Sequence, residues 1–244
     1  MSKSIIIIPS RLAATRLPNK PLLNINKKPL IMHVYEKVIK SKVEEVYVAT
    51  CDDEIATEVG NNGGNFIMTD PKHATGTDRV YEAAQKLKLK DDDIIINVQG
   101  DEPMINPYDI DNLNKISKLN NLNFSTLAYK IQNKVDYINK DIVKVVTQKK
   151  ISNKEPQKAL SFNRKISHDN KNYIYQHFGI YLYKVSILKK FVSLKQTKKE
   201  NSEKLEQLRA IENNIKIDVI LAKYFSSGID TKKDLDEYIK LLNK

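Results

Sequence analysis

The sequence has little cysteine and no long apolar segment. Cys51 is the single cysteine among 244 residues, which excludes a disulfide framework and a zinc site built from paired cysteines. No apolar run reaches the roughly 18 residues that a membrane-spanning helix needs. The apolar stretch at residues 5–8 is also too short for the core of a signal peptide. We therefore expect a soluble, cytoplasmic protein with no membrane partner.

Positive charge is in excess, with 41 Lys and Arg against 30 Asp and Glu and a formal net charge of +11. Such an excess is found in nucleic-acid-binding proteins, which gives one alternative function. The lysines, however, are spread along the chain, and no basic block with interleaved aromatic residues occurs. We therefore expect solvated lysines and no nucleic-acid partner. The net charge would still attract anionic substrates such as nucleoside triphosphates.

The first hundred residues alternate between strand and helix patterns. Short β-branched runs predict strands at residues 4–8, 46–50, 66–69 and 94–98. Apolar residues at helical spacing predict helices at residues 29–40, 53–61 and 77–89. This alternation predicts an α/β fold with a mostly parallel twisted sheet. The loops after residues 8 and 98 would then meet at one sheet edge, where such folds bind ligands.

The second half of the chain has a different pattern. It predicts strands at residues 124–131, 142–147, 175–183 and 215–222, and helices at residues 186–192, 203–211 and 231–242, the last with Thr231 as its N-cap. Residues 153–172 are polar and poorly periodic. Because neither a repeat nor a linker is evident, we expect one domain, residues 1–244, with a smaller lobe inserted at about residues 124–200.

The loop at residues 9–21 carries three cations, Arg11, Arg16 and Lys20, directly after the first predicted strand. Guanidinium groups match phosphate oxygens and a lysine adds a point charge, so the loop suits a polyphosphate. Its prolines lower the entropy cost of ordering it. The glycine pattern of a Walker A loop is absent. The alternative is a solvated basic surface loop.

Two acidic segments are candidates for a metal site. Asp101 and Glu102 follow the predicted strand at 94–98, and Mg²⁺ prefers one or two carboxylates together with substrate phosphates. Gly100 would allow a sharp turn there. Asp230 follows a glycine turn and is a second candidate ligand. The alternatives are exposed acids at a strand end and, for Asp230, a role in starting a helix.

Other motifs are weaker when taken alone. The segment TGTDR, residues 75–79, could contact a base edge and a phosphate at a helix start, although capping explains it equally well. His177 and Tyr181 are four residues apart in a predicted strand and would share one face, as site residues or as packed aromatic residues. Arg209 is expected to pair with Glu206 on a helix surface.

Six segments together resemble the CMP-Kdo synthetase family, the 3-deoxy-manno-octulosonate (Kdo) cytidylyltransferases. In chain order they are IIPSRLAATRLPNKPL, TGTDR, NVQGDEPMI, QHFGIYLY, KLEQLR and SGIDTKKDL, which run from Ile7 to Leu235. The resemblance implies a Rossmann-like nucleotidyltransferase fold and a homodimer formed through the smaller lobe. It also implies synthesis of CMP-Kdo from CTP and Kdo for lipopolysaccharide assembly.

The resemblance further implies a role for each matching residue. Arg11, Arg16 and Lys20 would hold the CTP triphosphate, and Thr75, Gly76, Thr77 and Arg79 would line the cytidine site. Asp101 and Asp230 would bind Mg²⁺. Gln99, Arg164, His177, Tyr181, Glu206 and Gln207 would face the sugar. Positioning and charge neutralisation by Arg11, Lys20, Asp101 and Asp230 would dominate catalysis, with no catalytic histidine.

The chain departs from the family pattern on the sugar side. The family usually has Ser-Arg-small-x-Ile-Pro, whereas residues 163–168 read Asn-Arg-Lys-Ile-Ser-His. A related acid sugar, such as 8-amino-Kdo or a neuraminic-type acid, is therefore an alternative substrate. A third alternative is a glycosyltransferase-like protein, whose Asp-x-Asp metal pair would be found in residues 91–93. That segment precedes its strand and would lie at the wrong sheet edge.

Overall fold

Eleven strands and eight α-helices make up the part of the chain that the computed structural model describes, which is residues 2–13, 17–166 and 173–243. The strands are β1 (Ser4–Pro9), β2 (Asn24–Ile25), β3 (Lys28–Pro29), β4 (Glu45–Thr50), β5 (Phe66–Met68), β6 (Ile94–Asn97), β7 (Phe124–Lys130), β8 (Lys144–Thr147), β9 (Gln157–Asn163), β10 (Tyr173–Lys184) and β11 (Asp218–Leu221). The helices are α1 (Leu30–Val38), α2 (Asp53–Asn61), α3 (Gly76–Lys86), α4 (Pro107–Leu119), α5 (Val185–Val192), α6 (Lys198–Glu203), α7 (Gln207–Glu212) and α8 (Lys232–Leu242). Short 3₁₀ turns lie at Lys20–Leu22 and Lys134–Tyr137.

Nine of these strands form one sheet in the order β5-β4-β1-β6-β10-β7-β11-β9-β8. The pairs β5–β4, β4–β1, β1–β6 and β7–β11 are parallel. The pairs that involve β9 or β10 are antiparallel. The expectation of a mostly parallel sheet therefore holds for β5, β4, β1 and β6 and for the separate pair β7–β11, whereas the whole sheet is mixed. The reason is that β10 inserts between β6 and β7 and runs against both.

Alternation along β1 explains the layers. Ile5 and Ile7 point to one face, and Ile6 and Ile8 point to the other; all four are fully buried. Apolar residues of α1, α2 and α4 pack on the Ile6 and Ile8 face. Those of α3, α5 and α7 pack on the Ile5 and Ile7 face. The predicted α/β architecture, with helices on both sides of the sheet, is therefore confirmed.

The segment predicted to form a smaller lobe, residues 124–200, contributes β7, β8, β9 and β10 to the second half of the sheet. The first residues of β10, Tyr173 to Gln176, pair with β8, whereas its last residues, Tyr181 to Lys184, pair with β6. A single long strand thus continues from the central sheet into this end. The segment at residues 153–172, which has no clear periodicity, contains β9.

The carboxyl ends of β1 and β6 lie side by side, because Ile7 pairs with Asn97 in parallel register. Gly100 lies in a turn, as the sequence suggested, and it also lies very close to neighbouring atoms. A Cβ atom there would lie 3.0 Å from the Pro9 carbonyl oxygen and 3.3 Å from Cδ1 of Ile31. The missing side chain therefore lets the two loops approach closely.

Candidate active site

Two adjoining cavities open at this edge of the sheet. The first, of about 220 Å³, is lined by the loop after β1, by the start of α3 and by residues 99–101. The second, of about 210 Å³, is lined by the start of α3, by β10 and by Glu206 and Gln207 near the start of α7. Gly76 and Gln99 belong to both linings. Ligands in the two cavities would therefore meet at these two residues.

A cation and two carboxylates converge in and beside the first cavity. The Nζ atom of Lys20 lies 2.5 Å from Oδ2 of Asp101 and 3.0 Å from Oδ1 of Asp230, and it donates to the Ile229 carbonyl at 2.9 Å. The two acidic segments are held together because the Ile229 N–H donates to the Asp101 carbonyl at 2.9 Å. Burial alone would lower the pKa of Lys20, but the two carboxylates outweigh it and raise that pKa.

Glu102 lies behind this cluster and has a different environment. Its side chain is buried and accepts a hydrogen bond from Ser226 at 2.9 Å. Burial, followed by the charge of Asp101, raises the pKa of Glu102 to about 7. Of the acid pair predicted from the sequence, only Asp101 therefore lines the first cavity.

Of the remaining residues predicted for the nucleotide, Arg11, Thr75, Gly76 and Arg79 line the first cavity, whereas Thr77 lines the second. Thr75 caps α3 in a capping box with Asp78, so the capping alternative holds for its side chain. Arg79 is buried and donates to the Thr69 hydroxyl. Arg16, the third predicted triphosphate ligand, lies outside the described residues.

Glu82 braces the segment that leads to Thr75. It accepts from the Asp70 N–H at 2.8 Å and contacts Nε2 of His73 at 2.5 Å and Nζ of Lys86 at 2.9 Å. Burial would raise the pKa of Glu82, but the bonds from Lys86, Asp70 and His73 outweigh it and lower that pKa to about 2. The carboxylate therefore stabilises the fold at neutral pH.

This depressed pKa predicts an acid-sensitive contribution to stability. Because protonation of Glu82 is unfavourable in the folded state, we expect its stabilising effect, about 1 to 3 kcal/mol, to be full above pH 5 and lost towards pH 2. Urea unfolding of the wild type and of Glu82→Gln at pH 7, 5 and 3.5 should show curves that converge in acid. Glu54→Gln, at an exposed position on α2, is the control. A constant difference between wild type and Glu82→Gln would contradict the prediction.

Polar groups in the second cavity are arranged in two hydrogen-bonded pairs. The Thr77 hydroxyl donates to Oε2 of Glu206 at 2.6 Å, and the Tyr181 hydroxyl donates to Oε1 of Gln207 at 3.1 Å. Burial raises the pKa of Glu206 and, together with the charge of Glu206, that of Tyr181. Glu206 and Gln207 both line the cavity although they are adjacent in sequence, because Glu206 is the N-cap of α7 and Gln207 is its first residue.

Gln99 has a fixed orientation at the junction of the cavities. Its Nε2 atom donates to Oδ1 of Asn97 and to the Gly179 carbonyl, each at 3.3 Å. The Gly179 carbonyl is accessible because a bulge in β10 shifts the register between Phe178 and Tyr181. Thr126, which the sequence did not single out, donates to the Ile180 carbonyl at 2.7 Å within this bulge.

His177 shares a face with Tyr181, as the spacing predicted, with ring centroids 5.5 Å apart. It is buried, packs edge-on against Phe162 and is bonded through Nε2 to the Thr126 hydroxyl at 2.9 Å. Burial lowers its pKa to about 3, which keeps the ring neutral at physiological pH. His177 therefore lies behind Tyr181 and supports the wall of the second cavity.

Arg164 is bonded to three backbone oxygens, which belong to two segments of the chain. Its guanidinium donates to the carbonyls of Glu203 at 2.7 Å, Lys140 at 3.0 Å and Lys204 at 3.4 Å. The structure thus places Arg164 where β9 meets the turn between α6 and α7. Of the altered segment 163–168, residues 167 and 168 lie outside the described part.

Arg209 is buried rather than on the surface, and it pairs with Glu200 instead of Glu206. Its guanidinium contacts both Glu200 oxygens, with NH2 2.5 Å from Oε1 and Nε 2.9 Å from Oε2, and lies 4.7 Å from the ring centroid of Phe191. Glu200 also completes the capping box of α6 with Thr197. This pair joins α6 to α7 behind Glu206, and neither sequence spacing nor charge pattern indicated it.

The described residues contain no group of three or more His, Cys, Asp and Glu side chains placed to hold a metal ion. Residues 91–93, the alternative Asp-x-Asp motif, lie at the opposite end of β6 from Asp101, where Asp93 accepts from the Lys3 N–H at 3.0 Å. Asp101 and Asp230 converge on one cation, Lys20, and two carboxylates are what Mg²⁺ takes from a protein when phosphates complete its shell. The donor set therefore fits Mg²⁺ bound together with a nucleotide. Across the described residues, no helix is long and apolar enough to cross a membrane.

Comparison with known proteins identifies the family. A family model described as cytidylyltransferase matches residues 5–217. The 3-deoxy-manno-octulosonate cytidylyltransferase of Thermodesulfovibrio yellowstonii is 45% identical over 98% of each chain. This chain belongs to the CMP-Kdo synthetase family of cytidylyltransferases. The family predicted from the six sequence segments is thus confirmed, and the protein is an enzyme of the nucleotidyltransferase class.

Other members of this family agree in sequence and fold. A solved CMP:2-keto-3-deoxy-manno-octonic acid synthetase in complex with CTP has a TM-score of 0.89 and 36% identity, covering 99% of each chain. The 8-amino-3,8-dideoxy-manno-octulosonate cytidylyltransferase of Shewanella woodyi is 40% identical over 94% of each chain. The α/β nucleotidyltransferase fold is therefore established over almost the whole chain.

Proposed function

We propose that the enzyme couples CTP to Kdo to form CMP-Kdo and pyrophosphate, for lipopolysaccharide biosynthesis. The observation that carries the proposal is the pair of cavities that meet at Gly76 and Gln99. The first has the cations and carboxylates that suit a nucleoside triphosphate, and the second has neutral and acidic hydrogen-bonding groups that suit a polyhydroxylated sugar. The relatives described above act on CTP and on Kdo or its 8-amino derivative.

In this reaction the anomeric hydroxyl oxygen of the sugar attacks the α-phosphorus of CTP. A new phosphorus–oxygen bond forms, the bond to the β-phosphate oxygen breaks, pyrophosphate leaves with the electron pair, and the hydroxyl proton is released. Arg11, Lys20 and Arg16 would neutralise the triphosphate, and Thr75, Gly76, Thr77 and Arg79 would border the cytidine. The protein contributes mainly positioning and electrostatic stabilisation.

Asp101 and Asp230 would hold Mg²⁺, as their convergence on one cation supports. When bound, Mg²⁺ would neutralise phosphate charge and lower the pKa of the attacking hydroxyl. Gln99 would present Oε1 to the reacting end of the sugar, because its Nε2 is already engaged by Asn97 and Gly179.

Tyr181, Glu206 and Gln207 would hold the sugar hydroxyls. His177 would act through Tyr181 and would not serve as a base, which the lowering of its pKa by burial supports. Arg164 would order the turn before Glu206 and contribute positive charge for the sugar carboxylate. The site as proposed needs no catalytic histidine.

A cytoplasmic location, a single domain and a homodimer through the lobe at residues 124–200 remain predictions. Exposed apolar side chains on that lobe support the dimer; they are Val135, Ile138, Leu160 and Tyr173, each between 46% and 68% exposed. Burial of such a patch against a second copy would be favourable.

Pyrophosphate release tests the proposed reaction. The purified enzyme should be given CTP and Mg²⁺ with Kdo, with 8-amino-Kdo, with a neuraminic-type acid, and without sugar. We expect release with Kdo that exceeds release with the other acids. Release with 8-amino-Kdo only would keep the reaction and change the substrate, as the 40% identical relative would suggest. Failure with every acid, despite CTP binding, would contradict the proposal.

A further inference from the structure

The ammonium of Lys20 has a complete set of hydrogen-bond acceptors within the protein. It has three donor hydrogens, and three oxygen acceptors surround it, from Asp101, Asp230 and the Ile229 carbonyl, at 2.5 to 3.0 Å. The side chain is only 14% exposed. Three oxygens at these distances form a site that suits a small cation, and the cation in it is the ammonium of Lys20 itself.

The oxygens that hold this ammonium are those that the proposed function assigns to the metal. A divalent ion coordinated by the same two oxygens, Oδ2 of Asp101 and Oδ1 of Asp230, would take the place of Nζ, which contacts both. Two cations cannot share that position, and their mutual repulsion at a few ångströms is strong in a partly buried site. Lys20 and the metal therefore compete for the same two carboxylates.

The local backbone favours movement of the ammonium over movement of the carboxylates. The hydrogen bond from the Ile229 N–H to the Asp101 carbonyl ties the two acidic segments together. The start of the 3₁₀ turn at Lys20 is set by Asn19 in a left-handed conformation, with φ of 52°, and by the buried Pro21. Of the three side chains, Lys20 has the longest and most flexible stem, and it borders the cavity proposed for the triphosphate.

We propose that Lys20 is a resident cation that holds Asp101 and Asp230 together in the free enzyme and excludes divalent metal until CTP arrives. The inference rests on the proposed function for the identity of the metal ligands. The triphosphate offers the ammonium new anionic partners, and the carboxylates are then released to the metal. Because the coupling is reciprocal, CTP raises the affinity for metal and metal raises the affinity for CTP.

Binding of Mn²⁺, measured by electron paramagnetic resonance in the absence of sugar, tests this inference without a measurement of activity. The variant Lys20→Met keeps most of the stem and removes the charge. We expect it to bind Mn²⁺ at least about tenfold more tightly than the wild type when CTP is absent. The gain in Mn²⁺ affinity on addition of CTP should be smaller in Lys20→Met than in the wild type.

Two further variants keep the outcomes distinct. Lys115→Met removes one exposed positive charge from α4 and should leave Mn²⁺ binding unchanged, which controls for net charge. Asp101→Asn should weaken Mn²⁺ binding in the presence of CTP, which tests the proposed metal ligand itself. Thermal unfolding of each variant checks that it is folded.

Equal or weaker Mn²⁺ binding by folded Lys20→Met, with Asp101→Asn still impaired, would overturn the resident-cation inference and leave the proposed metal site standing. Normal Mn²⁺ binding by Asp101→Asn would instead contradict the proposed metal site. Tighter binding by Lys115→Met of the same size as by Lys20→Met would reduce the effect to net charge and would also overturn the inference.

Discussion

Replacing Asp101 by Asn is expected to lower kcat at least about a thousandfold while leaving the fold intact. The substitution keeps the size of the side chain but removes one of the two charges that converge on Lys20. In the proposed mechanism the protein supplies mainly positioning and charge stabilisation, so the loss falls directly on the transition state. Single-turnover pyrophosphate release at saturating CTP, Kdo and Mg²⁺ measures it.

A matched substitution separates this effect from a general loss of charge. The control is Asp236→Asn. Asp236 lies on α8, is about half exposed and forms an i,i+4 ion pair with Lys232. The substitution should change kcat less than about twofold and stability by less than about 0.5 kcal/mol. If Asp101→Asn turned over CTP within tenfold of the wild type, Asp101 could not be a metal ligand, and the proposed site would be wrong.

Replacing Glu200 by Gln is expected to destabilise the protein by about 3–5 kcal/mol. Glu200 and Arg209 are each about 3–4% exposed as side chains, and the substitution would leave the guanidinium charge buried without its partner. Equilibrium unfolding in urea gives the change. Since this ion pair lies behind Glu206, the KM for the sugar should rise as well, whereas the KM for CTP should change little.

Glu212, the last residue of α7, provides the control. Glu212→Gln at an exposed position should alter the free energy of unfolding by less than about 0.5 kcal/mol. The double variant Glu200→Leu with Arg209→Met removes both charges and should recover much of the lost stability, because an apolar pair of similar volume needs no desolvated ion. A loss below about 1 kcal/mol in Glu200→Gln would show that the ion pair is not a major support of α6 and α7.

Most elements of the fold, and the meeting of the two loops at the candidate site, were predictable from the sequence. Strand β1 and helix α2 have periodic patterns with clear ends, so their predicted bounds differ from the observed ones by one residue at most. The loop after β1 and residues 99–101 meet because parallel strands bring their carboxyl ends to one edge. Thr231 caps α8 as predicted. In each case the signal lies within a single short segment.

Features that depend on distant segments were not predictable. The sequence analysis predicted neither helix α4 nor strand β9. Strand β9 was missed because its side chains are exposed at alternate positions and it packs at the end of the sheet. The predicted helix at residues 203–211 is instead split between α6 and α7, with Lys204 in a left-handed conformation between them. Lys144 was expected among the solvated lysines, but it is buried and donates to the carbonyls of Asn139, Ile142 and Arg164. Carbonyls of the loop before β8 and of the distant residue Arg164 decide this position.

The division of the two cavities along the chain has a consequence for how the enzyme can change. Among the described residues, all that line the first cavity precede position 102, whereas most that line the second follow position 123. With the nucleotide and the sugar bound as proposed, mutations after position 123, other than at Asp230, can alter the accepted sugar while the lining of the first cavity is inherited unchanged. Only Gly76 and Gln99 line both cavities. A family built in this way can acquire new acid sugars by drift in one half of its sequence.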